Sequence, residues 1–84
     1  MILSSYPVID LHGFDREYAV YRVKEFIDDN IKSKHYTIVI IHGIGEGILR
    51  KAVHDSLRKN KKVESFNVDV INSGSTVVKL KENL

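Results

Sequence analysis

Residues 37–49 carry the strongest indication of the architecture of this chain, in the sequence TIVIIHGIGEGIL. The run from Thr37 to Ile41 is apolar or β-branched throughout, which is typical of a strand covered on both faces. Glycines at positions 43, 45 and 47 then break the strand, and apolar residues from Ile48 to Leu57 recur at helical spacing. We therefore expect a central strand, a glycine-rich loop and a helix in direct succession.

The segment before this stretch predicts one more strand and one more helix. Val8 to His12 is a short apolar run between a proline and a glycine, as in a strand bounded by residues that interrupt it. From Asp15, a residue type that caps helix N-termini, apolar residues recur at helical spacing until near Lys34. This part predicts a first strand and a first amphipathic helix.

The segment after it predicts a closing hairpin. Residues 63–71 and 76–80 alternate between apolar and polar side chains, and residues 72–74 supply turn chemistry between them. The order is therefore strand, helix, strand, helix, strand, strand. This order predicts an α/β fold with a mixed four-stranded sheet, in which the first two strands are parallel neighbours.

Length and composition indicate one small domain over residues 1–84, with its core at about 8–80. The 84 residues are 43% hydrophobic and 29% charged and include no cysteine, so stability must come from a packed core rather than from disulfides. The net charge of +2 is too small for binding by bulk charge alone. No apolar run approaches the roughly 20 residues of a membrane span, and residues 1–3 do not resemble a secretory signal. We expect a cytoplasmic monomer.

Histidines and an aspartate follow the two predicted parallel strands. The carboxyl ends of such strands share an edge, and open α/β sheets bind ligands there. Asp10 and His12 project to the same side of their strand, and His42 ends the neighbouring strand. A histidine in this setting can act as general acid or base, oriented by the carboxylate. Alternatively, Asp10 caps a backbone N–H in a turn and the histidines are polar edge residues.

The glycine-rich loop predicts a phosphate-binding site at a helix N-terminus. Free N–H groups and the helix dipole favour an anion there, and Gly43, Gly45 and Gly47 allow close approach of a ligand. Arg50 and Lys51 in the first helical turn are candidate phosphate contacts. The glycine spacing matches neither a dinucleotide fingerprint nor a P-loop, and the loop can equally be a tight turn.

The remaining basic and histidine residues have simpler interpretations. The lysines and arginines of residues 58–62 are typical of a solvated helix face, although a phosphate-binding flank is the alternative. We expect His35 and His54 to be surface or packing residues.

These motifs together resemble the Smr (small MutS-related) domain family. The resemblance rests on residues 9–13, IDLHG, on residues 42–50, HGIGEGILR, and more weakly on residues 72–80, and it spans nearly the whole chain. It implies an α+β two-layer sandwich similar to the C-terminal domain of the third bacterial initiation factor. It also implies a nicking or cleaving activity on DNA or RNA. It also implies that Asp10, His12, His42, Gly43 and Gly45 form the active site, with Arg50 as an accessory phosphate contact.

The chain departs from the family pattern at two places: Ile44 stands where a basic residue is frequent, and the last loop is short. The resemblance as a whole predicts a nucleic-acid endonuclease. Because of these two departures, the alternative is a non-catalytic nucleic-acid-binding module, such as an accessory domain of MutS-like or ribosome-associated proteins.

The expected acid-base chemistry does not require a cofactor. RNA supplies its own nucleophile in the 2′-hydroxyl, so histidines can cleave it without a metal, whereas DNA needs an activated water. A divalent cation held by Asp10, His12 and His42 is the alternative.

Overall fold

The computed structural model of the chain describes residues 5–82. Four strands and two helices follow in the predicted order, and residues 1–3, which were considered as a possible signal, lie outside the described part. The elements are β1 (Val8–Asp10), α1 (Arg16–Lys32), β2 (Thr37–Ile41), α2 (Ile48–Lys59), β3 (Val63–Val68) and β4 (Ser75–Leu80).

The strands form one mixed sheet in the order β1-β2-β4-β3. β1 and β2 are parallel, as predicted, and β4 is antiparallel to both of its neighbours. Ile41, the last residue of β2, pairs with Ser75, the first residue of β4. The turn between β3 and β4 therefore lies at the edge of the sheet where β1 and β2 end.

Both helices pack on the same face of the sheet. Ile9, Ile40 and Thr76 lie in one row across β1, β2 and β4, and the buried residues of this face form a single core cluster with both helices. The cluster includes Ala19, Val23 and Ile27 from α1 and Val53 and Leu57 from α2. The predicted two-layer sandwich is confirmed.

The central strand is buried on both faces although helices cover only one of them. Ile38 and Ile40 point toward the helices, and Val39 points to the other face, where its neighbours in register are Val8 and Val77. Val39 is nevertheless only 1% exposed.

Two strands are shorter than the hydrophobic pattern suggested, because a carboxylate closes the turn after each of them. β1 ends at Asp10, whose Oδ1 accepts the backbone N–H of His12 at 2.9 Å. β3 ends at Val68, because the Asp69 carboxylate accepts the N–H of Ile71 at 3.1 Å. His12 therefore lies in a turn and not in a strand.

Candidate functional site

A cleft of about 230 Å³ lies at the carboxyl edge of β1 and β2. The structure brings together here four of the residues singled out from the sequence, from two loops that are far apart in the chain. The lining residues are Asp10, His12, Gly13, Ile41, His42, Gly43 and Leu49.

Asp10 and His12 lie on the rim of the cleft with exposed side chains. The bond from the His12 backbone N–H to the Asp10 carboxylate is the turn cap that the sequence offered as an alternative. This bond uses one carboxylate oxygen and leaves the imidazole untouched. Within residues 5–82 the His12 ring forms no hydrogen bond, so both of its nitrogens are open to a ligand in the cleft.

His42 is held in the opposite way, with both ring nitrogens bonded inside the protein. It is 6% exposed. Its Nδ1 lies 2.9 Å from the carbonyl oxygen of Gly43, which can only accept, so Nδ1 carries the proton. Its Nε2 lies 2.8 Å from Thr76 Oγ1. In this arrangement His42 positions the glycine-rich loop and has no free nitrogen for proton transfer to a substrate.

His54 completes a chain of hydrogen bonds that the sequence did not reveal. Its Nε2 also lies 2.8 Å from Thr76 Oγ1, and its ring packs 4.9 Å from that of Phe66, centroid to centroid. Neutral His42 accepts the Thr76 hydroxyl proton at Nε2, so His54 donates to the Thr76 oxygen. The expectation of a packing residue was therefore incomplete. The available signal was Thr76, a hydroxyl on the inward side of an alternating strand, which needs a buried partner.

Burial keeps these two histidines neutral. Loss of solvent is the main effect and lowers the pKa of His42; the hydrogen bond to the Gly43 carbonyl raises it, and the positive charge of Arg50 lowers it by a smaller amount. Burial is also the main cause that lowers the pKa of His54, followed by the nearby His42 and the charge of Arg58. The pair is therefore uncharged at neutral pH.

The turn between β3 and β4 supports the glycine-rich loop from below. The carbonyl oxygen of Gly74 accepts the backbone N–H groups of both His42 and Gly43, each at 2.9 Å. A Cβ at Gly74 would lie 3.2 Å from Asn72 Oδ1 and 3.3 Å from the carbonyl carbon of Gly43, which is closer than an ordinary contact, so the lack of a side chain favours this approach. The N–H of Gly43 is consequently occupied and not available to a ligand.

The N–H groups that follow are open. In the part of the chain that the structure describes, none of the N–H groups of residues 44–50 donates to a backbone carbonyl. Gly47 caps α2 in the left-handed conformation, at φ 78°, and contributes no side-chain bond. The Gly45 and Gly47 backbone lines a hollow of about 290 Å³ around this loop. Such a helix end favours an anion.

The two predicted phosphate contacts differ in position. The Arg50 guanidinium lies over the N-terminus of α2, because a Cβ at Gly47 would be 3.1 Å from its Nη2. Arg50 forms no ion pair with any residue of 5–82. Lys51 instead lines a separate hollow with Arg16 and Ile48, outside the cleft. Arg50 is therefore the cation of this site.

The divalent-cation site that the sequence offered as an alternative has no ready-made group of ligands among the described residues. No group of three or more histidine, aspartate or glutamate side chains between residues 5 and 82 lies close enough to hold a metal ion. Asp10, His12 and His42 share a cleft without forming such a group. Separately, no helix in this range is long and apolar enough to cross a membrane.

The sequence of the chain is similar to those of known proteins. The pattern that defines the Smr domain family matches residues 9–81. Relatives named Endonuclease MutS2 are 42% identical over 79 residues in Symbiobacterium thermophilum and 40% identical over 76 residues in Clostridium botulinum. These matches cover 90% and 87% of this chain, and 10% of each of those proteins. The chain thus spans about a tenth of the length of the curated relatives it matches.

Solved structures show the same fold. The Smr domain of Thermus thermophilus MutS2 superposes with a TM-score of 0.87 at 32% identity, over 89% of this chain and 98% of that one. YdaL, a stand-alone small MutS-related protein from Escherichia coli, superposes with a TM-score of 0.84 over 93% of this chain and 69% of that one. Its identity of 23% makes it evidence for the fold alone.

Proposed function

The chain belongs to the Smr domain family, and on that premise we propose that it is an endonuclease that cleaves phosphodiester bonds of RNA. The observation that carries the proposal is the placement of an open imidazole, His12, in a cleft that shares His42, Gly43 and Leu49 with the hollow at the N-terminus of α2. The names of the relatives, Endonuclease MutS2, support the class of reaction.

We assign the phosphate of the scissile bond to the open end of α2. The unpaired N–H groups of residues 44–50 and the Arg50 guanidinium supply donors and positive charge there. The departure from the family pattern at Ile44 leaves these backbone donors in place. Glu46 is the opposing feature, because its carboxylate near the same helix end competes with a phosphate.

His12 acts as the general base in this proposal. It accepts the proton of the 2′-hydroxyl, the 2′-oxygen bonds to phosphorus, and the bond to the 5′-oxygen breaks as that oxygen takes a proton from solvent. The products are a 2′,3′-cyclic phosphate and a 5′-hydroxyl. Asp10 positions His12 by accepting the hydrogen bond that fixes the turn in which His12 lies. His42 holds the glycine-rich loop in place through its bonds to Gly43 and Thr76.

RNA is the favoured substrate because its 2′-hydroxyl is the nucleophile, so the route needs from the cleft only a general base and a phosphate-binding site. Hydrolysis of DNA needs a water activated in another way, commonly by a cation. No step of the proposed RNA cleavage uses a metal ion.

The test is a cleavage assay of the pure chain on labelled single- and double-stranded DNA and RNA, with and without a chelator. We expect cleavage of RNA that persists with chelator and falls in an Asp10→Ala variant, because that variant loses the turn bond to His12. Cleavage that is unchanged in the variant would refute the assignment of Asp10.

A non-catalytic nucleic-acid-binding module is the second candidate. The observation in its favour is that His42 has both nitrogens bonded internally and one Asp10 oxygen is used in a turn, as in a purely structural arrangement. This candidate predicts salt-sensitive binding of the same oligonucleotides with no cleavage of any of them.

A further inference from the structure

Two adjoining hollows lie between α1 and α2, outside the cleft. Their volumes are about 260 Å³ and about 390 Å³, and both are lined by Ala52 and Asp55. The small side chain of Ala52 leaves the space between the helices open. The two hollows therefore form one continuous groove along the helical layer, which we call the interhelical groove.

Four cations line this groove in two pairs. Arg16 and Lys51 lie at its first hollow, and Lys24 and Lys59 lie at its second. Within each helix the two cations are eight residues apart, which is about 12 Å at 1.5 Å per residue. Both helices begin at the edge of the sheet that carries the cleft, so the groove leads away from the cleft with a cation of each helix at either end.

The cations of the groove are not neutralised by neighbours. In the described range 5–82 none of the four forms an ion pair, and Asp55, the acid of the groove, is bonded to Arg58 at 2.7 Å. Lys62, by contrast, pairs with Asp28. In the basic run of residues 58–62, Arg58 and Lys62 are thus paired, whereas Lys59 lines the groove and forms no ion pair among the described residues.

We propose that the interhelical groove binds the sugar-phosphate backbone of a single nucleic-acid strand that continues from the cleft. The inference rests on the proposed function, because that function supplies the strand. Packed helix axes lie about 8–10 Å apart, so the cations of the two helices can flank a single row of phosphates.

The dimensions and chemistry of the groove define how the strand is bound. A length of about 12 Å spans about three to four nucleotides of a strand stacked as in a duplex, at about 3.4 Å each, and fewer of an extended strand. The lining residues include no aromatic side chain on which a base could stack. Binding is therefore to phosphates and does not depend on base sequence, and it applies to single-stranded RNA and DNA alike.

The test compares binding by the 84-residue chain and by a variant of the far end of the groove, Lys24→Gln with Lys59→Gln. The probes are a dinucleotide and single-stranded RNA and DNA of about ten nucleotides. Each phosphate contact to a single strand contributes about 0.7 to the slope of log K against log salt. The variant should lose about 1.4 of this slope for the long probes, equivalent to about 25-fold weaker binding at about 0.1 M salt. Dinucleotide binding should not change.

The matched control is Lys79→Gln with Lys81→Gln, which removes the same charge from exposed positions outside the groove. It should bind like the parent chain. If the two double variants have equal slopes of log K against log salt, strand binding in the interhelical groove is refuted, while the proposed cleavage is not affected. Binding with the expected slopes but no cleavage would refute the nuclease and retain the groove. A parent chain that binds none of the probes would overturn both.

Discussion

His42 and His54 meet at one hydroxyl: Thr76 Oγ1 lies 2.8 Å from Nε2 of each ring, and the ring centroids are 5.7 Å apart. The three residues come from the end of β2, from α2 and from β4, so one hydrogen-bonded chain joins the glycine-rich loop to both layers of the sandwich. The position of the loop at the cleft therefore depends on His54 and Thr76, which do not line the cleft.

Removal of the shared hydroxyl should destabilise the fold. Thr76→Val keeps the shape of the side chain but leaves two imidazole nitrogens in a buried site without their partner. Such a loss costs about 1–3 kcal/mol, measured as the free energy of unfolding in urea. Thr76→Ser keeps the hydroxyl and should lose less. Equal stability of the valine variant and the parent would show that the chain of hydrogen bonds contributes nothing.

Stability should fall as the pH is lowered. The pKa of His42 and of His54 is below the ordinary value in the folded state, whereas both titrate near 6.5 in the unfolded chain. The stabilisation is complete above about pH 6.5, and below it the unfolded state binds protons that the folded state does not. Urea unfolding at about pH 7.5 and about pH 5.5 measures the difference.

A His54→Gln variant is the control for this pH dependence. Glutamine keeps a donor near Thr76 but does not titrate, so the decrease between the two pH values should be smaller than in the parent. A parent whose free energy of unfolding is the same at both values would contradict the burial of these rings.

A methyl group at Gly74 should disturb the cleft directly. In Gly74→Ala the new Cβ would lie 3.3 Å from the Gly43 carbonyl carbon and 3.2 Å from Asn72 Oδ1, so the two loops must separate. Overpacking of this kind costs about 1–3 kcal/mol, and the amide NMR signals of His42 and Gly43 should shift. Ser73→Ala, at the exposed neighbouring position, serves as the control. Unmoved His42 and Gly43 amides in the Gly74 variant would mean that the loops are not in contact.

Phosphate should bind at the start of α2. Titration with a dinucleotide should shift the amide signals of residues 44–50, and Arg50→Gln should weaken binding and reduce the salt slope by about 0.7. Arg58→Gln removes a cation that already pairs with Asp55 and should change little. Shifts confined to residues 59–62 would make the loop structural and the binding merely electrostatic.

The fold could be predicted from the sequence because each helix and strand has a local sequence pattern of its own. The apolar run of β2 and the Asp15 cap of α1, which accepts the Tyr18 N–H at 2.8 Å, are short-range features that a sequence displays. The ends of β1 and β3 were less predictable, because the Asp10 and Asp69 turn bonds compete with continuation of an apolar run.

The site was only partly predictable because its decisive contacts are long-range. The loops that bear His12 and His42 could be placed at one edge from the parallel connection alone. The bond between His54 and Thr76 joins residues 22 positions apart, and that between His42 and Thr76 joins residues 34 apart. No spacing rule reveals such pairs, so His42 was predicted to be as available for proton transfer as His12, whereas its nitrogens are bonded.

We propose that His12 is the general base of RNA cleavage. This role can be tested by comparing the rates and the ends of RNA cleavage in single-site variants. With chelator present, the parent chain and the control His35→Ala should leave a 2′,3′-cyclic phosphate on single-stranded RNA. His12→Ala should cleave about 100- to 10,000-fold more slowly, and RNA with a 2′-deoxy sugar at the cleaved position should remain intact. Cleavage by His12→Ala at the rate of the parent, or linear phosphate ends that require a divalent cation, would contradict the claim.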